Sequence, residues 1–239
     1  MHLLSMTNYF ELTSTEWEAI SLSLQVAFWS ALLCLPLAIF TGWFLARRQF
    51  KTKFLFEGFI NLPLVLPPVA TGFILLLLLG RNGLIGQFLN EMFGIKIAFS
   101  YYAAVIASMI VAFPLSVRSM RLSIEMIDPA YEEAARTLGA DRWQSFFRIT
   151  LPLALPGIIS GFILAFARSL GEFGATIIFA GNIAGETQTL PLALYSAIQI
   201  PGQETTAFRL LIIAVIFSFI AMAGSELLVK NLHHRKHKA

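Results

Sequence analysis

Apolar side chains run almost unbroken through four stretches of the chain: 20–46, 54–80, 101–117 and 207–229. A fifth stretch, 151–173, is interrupted only near its end, by Arg168 and Glu172. The hydrocarbon core of a bilayer is about 30 Å thick and an α-helix rises about 1.5 Å per residue, so about 20 apolar residues suffice to cross it. The pattern predicts an all-α polytopic membrane protein of about five transmembrane helices, in a single transmembrane domain over 1–239. Residues 175–200 are apolar only in pieces, broken by Asn182, Gly185, Glu186, Thr187, Gln188 and Pro191. They read as an outside loop with a short helix at 190–199 that dips toward the membrane; if it crosses, the count is six.

Composition agrees: 57% of residues are apolar and 13% charged, far from a soluble chain. Cys34 is the only cysteine, so an intramolecular disulfide framework is excluded. No basic run with interleaved aromatics is long enough for a nucleic-acid surface. The net charge of +3 matters through its placement. Arg47, Arg48, Lys51 and Lys53 crowd the first short loop. Arg118, Arg121, Arg136, Arg142 and Arg148 fall in the loop 118–150, and Lys230, Arg235, Lys236 and Lys238 close the chain. Cytoplasmic loops collect Lys and Arg, so the N-terminus is expected outside and the C-terminus in the cytoplasm. Glu11, Glu16 and Glu18 before the first apolar run, with no basic region ahead of it, argue for a retained anchor rather than a signal peptide.

The loop 118–150 carries signals of its own. Asp128 followed by Pro129 is a helix start, and Glu132 and Glu133 then sit near the positive end of the helix dipole. That helix is expected over 129–138, stopping at Gly139. Asp141 can cap a second helix, 142–150, bearing Trp143, Phe146, Phe147 and Ile149, which Pro152 ends as the chain re-enters the membrane. Taken alone, this could be a structured loop on the headgroups, with Arg136, Arg142 and Arg148 binding lipid phosphate. The residues Glu133-Ala134-Ala135-Arg136-Thr137-Leu138-Gly139, followed by Ile149-Thr150-Leu151-Pro152, resemble the EAA loop of ABC-importer permeases. That resemblance implies a cytoplasmic coupling helix docking onto a separate ATPase, with Glu133, Ala134, Ala135, Leu138 and Gly139 as coupling residues. In that role Ala134 and Ala135 give a low helix face, Glu133 an anion for a basic partner, and Gly139 the elbow.

The resemblance extends over nearly the whole chain. Asn61-Leu62-Pro63-Leu64-Val65-Leu66-Pro67-Pro68, the segment 166–175 around Arg168 and Glu172, and Gly185-Glu186-Thr187-Gln188-Thr189 are similar to the molybdate permeases of ABC importers. Ala184 departs from the proline expected there. The resemblance implies a permease homodimer, two copies of an ABC ATPase subunit, an extracytoplasmic molybdate-binding protein, and residence in the inner (plasma) membrane. Sulfate permeases share the Ala-Arg-x-x-Gly-Glu-Phe/Tyr-Gly pattern, and sulfate or tungstate is the nearest alternative cargo. The chain has no Gly-x-x-x-x-Gly-Lys-Ser/Thr loop, so it is expected to be no enzyme and to hold no cofactor, with ATP bound on the partner subunit.

Arg168 and Glu172 lie four apart and share a helix face. A lone charge at bilayer centre costs about 2.5–3.5 kcal/mol, so the two form either a gate on the anion's path or a structural ion pair. Pro63, Pro67 and Pro68, with Gly72, make the second span bendable, as a pore-lining helix or as a fixed kink. Gly157, Ser160, Gly161 and Ala165 make a small-residue face for close packing or, second, a dimer seam. His233, His234 and His237 belong to a solvated basic tail near lipid rather than a metal site. Trp17, Trp43, Tyr101 and Tyr102 are placed at the membrane interfaces. A gradient-driven secondary transporter would call for more intramembrane carboxylates and an inverted repeat. An intramembrane enzyme would need a nucleophile–base or metal cluster, and none stands within the spans.

Overall fold

The structure, a computed structural model, describes residues 12–236, with side-chain surroundings as far as 224. Glu11, His237 and Lys238 fall outside that description, as do the side chains of Lys230, His233, His234, Arg235 and Lys236. Every regular element among the described residues is helical. In chain order they are α1 (Ser14–Arg47), α2 (Lys53–Val65), α3 (Pro68–Leu79), α4 (Leu84–Phe93), α5 (Tyr101–Glu125) and α6 (Pro129–Thr137). There follow α7 (Arg142–Leu153), α8 (Leu155–Leu170), α9 (Gly174–Phe179), α10 (Leu190–Gln199) and α11 (Glu204–Lys236). α1, α5 and α11 are each long and apolar enough to cross a membrane, and the pairs α2–α3 and α7–α8 reach that measure jointly.

The centre is a packing of α1, α5 and α8 through small side chains. Ala27, Ala31, Cys34 and Ala38 form a fully buried stripe on α1, matched by Ala104, Ala107, Val111 and Ala112 on α5. Lipid is as apolar as these residues, so close backbone approach and interhelical hydrogen bonds carry the association. α8 enters through its small-residue face, where a Cβ on Gly157 would collide with Ser123 and one on Gly161 would stand 2.6 Å from Met120 Cε. Ser116 Oγ donates to the Gly161 carbonyl at 2.9 Å and Ser119 Oγ to that of Gly157 at 3.1 Å. The small-residue face is thus a seam within the chain.

The second apolar stretch is not one rod. α2 and α3 meet at 110°, and the break falls at Leu66–Pro67. Pro67 and Pro68 remove consecutive amide donors and push the preceding residue out of the α region; Leu66 is accordingly extended, at φ −67° and ψ 142°. Gly72 plays a different part from the one expected. A Cβ there would stand 2.6 Å from the Ala175 carbonyl oxygen, so this glycine admits α9 against α3 rather than bending the span. Pro63 lies within α2 without breaking it.

α7 and α8 meet at 69°. Pro152 does not end the preceding helix; it lies inside α7, and the chain turns at Ala154. Pro156 has no N–H for the Pro152 carbonyl, so the ladder fails there. Two further boundaries differ from expectation. α5 runs on to Glu125, two turns past 117, and the segment after Glu172 contains the buried helix α9, packed on α3, before the expected α10. α10, at 10 residues, spans about 15 Å, half of what a sixth crossing needs.

Candidate functional site

The loop between α5 and α8, expected to be a coupling lever, is folded into α6 and α7 and tethered to α1. The Asp128 side chain accepts from Ala130 N at 2.9 Å and Pro129 opens α6. Gly139 turns the chain at φ +92°, and Ala140 N closes back on the Ala135 carbonyl at 3.0 Å. No heavy atom lies near the space a Cβ on Gly139 would fill, so left-handed backbone, not crowding, selects glycine. Asp141 and Gln144 form a reciprocal capping box at the start of α7. The middle of α7, Phe146–Thr150, is wound as a π-helix.

Glu132, rather than Glu133, fastens this lever. Its Oε1 accepts from Arg47 Nε at 2.9 Å and from Thr150 Oγ1 at 2.8 Å. Arg47 Nη2 also donates to the Ile127 carbonyl at 3.0 Å. One carboxylate therefore joins α6 to the end of α1 and to the π-wound turn of α7. Aromatic rings repeat the connection: Trp43 on α1 lies 5.0 Å from Phe146 and 6.0 Å from Trp143, centroid to centroid. Trp43, expected in an interfacial belt, is part of this joint. The first turn of α6 offers two adjacent acids, and sequence alone does not say which one turns inward.

The opposite face of α6 is open. Tyr131, Ala134 and Leu138 recur at helical spacing and are exposed, Leu138 at 90%, with Glu133 exposed beside them. Ala135 is half-buried; with Leu138 and Gly139 it borders a groove of about 310 Å³ that Arg148 and Ile149 close from α7. The predicted coupling residues are thus brought together on or beside one outward surface.

Arg168 and Glu172 do meet, with Nη1 and Oε2 2.8 Å apart in a close ion pair. Glu172 lies just past α8 rather than on it, is 2% exposed, and its Oε1 accepts from Ala175 N at 2.8 Å. The carboxylate therefore serves the entry to α9 as well as the arginine. Pro68 belongs to the same neighbourhood, since a Cβ on Gly174 would stand 2.7 Å from Pro68 Cβ; Pro63 is placed on α2. The ion pair and the lever lie at opposite ends of α8, whose 16 residues span about 24 Å.

A second buried ion pair was not anticipated. Glu16, 3% exposed, accepts from Arg209 Nη2 at 2.9 Å and Nε at 3.1 Å, joining α1 to α11. The available signal was Arg209 itself, a cation in an otherwise apolar stretch that calls for an acid nearby.

Residues 35–234, which include the lever and the Arg168–Glu172 turn, match the family of binding-protein-dependent transport system inner membrane components. The chain belongs to this family. It is therefore a multi-pass permease of the inner membrane. The molybdenum transport system permease protein of Haemophilus influenzae is 56% identical over 220 residues, covering 92% of this chain and 96% of that protein. Its counterpart from Escherichia coli is 53% identical, covering 94% and 98%. Among solved structures, a bacterial ABC transporter involved in alginate import superposes with a TM-score of 0.68 at 18% identity, covering 96% of this permease and 82% of that chain. That likeness establishes the fold of an ABC-transporter membrane subunit.

Proposed function

We propose that this permease conducts molybdate inward as the membrane subunit of an ATP-driven importer, working as a pair of copies with two ATPase subunits and an extracytoplasmic molybdate-binding protein. The observation that carries the coupling half is the lever: an exposed Tyr131–Ala134–Leu138 face, braced from behind by Glu132. A lone, 90% exposed leucine on a short capped helix suits an apolar pocket on another subunit. The substrate rests on the two molybdenum relatives, each matched along more than nine-tenths of this chain.

In this reading the spans are α1, α2–α3, α5, α8 with its α7 approach, and α11. The basic clusters put the N-terminus outside and the lever and C-terminus in the cytoplasm. ATP-driven movement of the partner subunits would pull on α6, and the Glu132–Arg47 contact would pass that movement to α1. Packed elements of this kind shift between discrete arrangements. The anion would pass the α2–α3 bend on its α9 side, by Pro67, Pro68 and the Arg168–Glu172 turn as gate, with Pro63 one turn before the bend on α2.

Uptake in a strain lacking the endogenous permease tests the substrate, with molybdate, tungstate and sulfate in competition. Molybdate should win; sulfate outcompeting it would overturn the assignment. Uptake by the chain alone in vesicles, without an ATPase partner, would overturn the importer. Arg168→Leu should reduce uptake while the complex still assembles, and undiminished uptake would remove Arg168 from the path.

A further inference from the structure

α2 stands at the edge of the bundle: Ile60 is its one buried residue, Phe56 lies against Phe44 of α1, and Glu57 pairs with Arg121 of α5. Between α2 and its neighbours run two cavities that share Ile60 as a common wall. The larger, about 490 Å³, lies toward the α2–α3 bend and is lined almost wholly by apolar side chains, among them Leu37, Phe59, Pro63, Ile74, Met109 and Phe113. The smaller, about 300 Å³, lies toward the lever-side end of α5 and contains Glu57, Asn61, Arg118 and Arg121.

The charges in the smaller cavity are unevenly matched. Arg121 is shared between two carboxylates, Glu57 on α2 at 2.8 Å and Glu125 on α5 at 2.7 Å. Arg118, one turn before it and exposed at the mouth of the niche, makes no hydrogen bond or ion pair with any described residue. One end of the niche thus offers a guanidinium without an anion, and the other a carboxylate that shares its cation. The lining of the two cavities runs along α5 from Met109 to Arg121, about 18 Å at 1.5 Å per residue. That is close to one leaflet of a core about 30 Å thick.

We infer that this crevice is a binding site for an aminophospholipid with a phosphoethanolamine headgroup. An acyl chain fills the apolar part; the phosphate takes the Arg118 guanidinium, a donor fork suited to phosphate; and the primary ammonium donates to Glu57. A zwitterionic head meets both the unpaired Arg118 and the carboxylate that has only a share of Arg121. An anionic head would satisfy Arg118 and meet Glu57 as a like charge, and a choline head has no N–H to give. The seated lipid would hold α2 against α5 on the side of the bend that the lever occupies.

The test is lipid retention by the intact importer, delipidated in detergent and offered equal palmitoyl-oleoyl phosphatidylethanolamine, phosphatidylglycerol and phosphatidylcholine, read by native mass spectrometry. The wild type should retain the ethanolamine lipid at least fivefold over either other. Arg118→Gln should lose retention about tenfold, and Arg118→Lys should keep most of it. Glu57→Gln should turn the preference toward phosphatidylglycerol, while Glu125 still holds Arg121. Equal retention in wild type and Arg118→Gln, or an unchanged preference in Glu57→Gln, overturns the proposal. Displacement of the lipid by molybdate at Arg118 also overturns it, making the niche an oxyanion site instead.

Discussion

Replacing Glu132 with alanine should disconnect the lever while leaving the permease folded. The substitution removes the acceptor of two side-chain hydrogen bonds, at 2.9 Å from Arg47 and 2.8 Å from Thr150. The pair is partly shielded, with Arg47 15% and Glu132 21% exposed, so it falls between surface ion pairs, worth up to about 1 kcal/mol, and buried ones, about 3–5 kcal/mol when one partner is removed. Hydrogen bonds to charged groups contribute about 1.5–3 kcal/mol, and about 2 kcal/mol is a fair expectation. That is about a thirtyfold shift toward the undocked lever. Amide exchange across α6 should rise by a similar factor, because local opening governs it. In proteoliposomes holding the whole importer, more ATP should be hydrolysed per anion delivered. Glu132→Gln should lie between, keeping an acceptor for Thr150 and losing the charge that holds Arg47. If Glu132→Ala leaves both the exchange of α6 and the ATP cost of transport as in wild type, the tether does not transmit motion.

Leu138→Asp, at a position 90% exposed, should leave thermal stability within about 0.5 kcal/mol of wild type. It should nonetheless abolish co-purification of the ATPase subunit; intact assembly would place the contact elsewhere. Gly139→Val, at φ +92°, should cost about 1–2 kcal/mol of local backbone strain and weaken the same assembly in pull-down, without touching the membrane core. Gly72→Val would press a side chain onto the Ala175 carbonyl, 2.6 Å from the first added carbon, and should lower unfolding stability in detergent by about 1–3 kcal/mol. Glu16→Ala should lower thermal stability measurably, by about 3 kcal/mol, because Arg209 loses a buried carboxylate.

Most of the helices could be read in the chain because bilayer thickness imposes a length on any apolar stretch that crosses. The starts of α6 and α7 were equally legible, since Asp128–Pro129 and Asp141 act on the backbone within their own turn. What stayed hidden depends on pairing across distance. Nothing local distinguishes Glu132 from Glu133, and Arg47, the residue that decides between them, is 85 positions away. Gly72 looked like a flexible point in a proline-rich span, and only the approach of α9 reveals it as a packing surface. α9 itself escaped notice because a helix of six residues carries too little periodicity to stand out. The Arg168–Glu172 pair was visible from its spacing of four, although the carboxylate's second task, at Ala175 N, was not.

The 34 residues of α1 extend about 51 Å, well beyond a hydrocarbon core of about 30 Å. One end is clasped to the lever by Arg47 and Trp43, and the other to α11 by Glu16. Pro36 interrupts its hydrogen-bond ladder, yet α1 is one continuous helix, and tilting it at one end would displace the other. A rotation of 5° about its midpoint would carry each tip about 2 Å in opposite directions. A grip exerted on one face of the membrane would thus be legible on the far face as mechanical displacement, even with no anion between them.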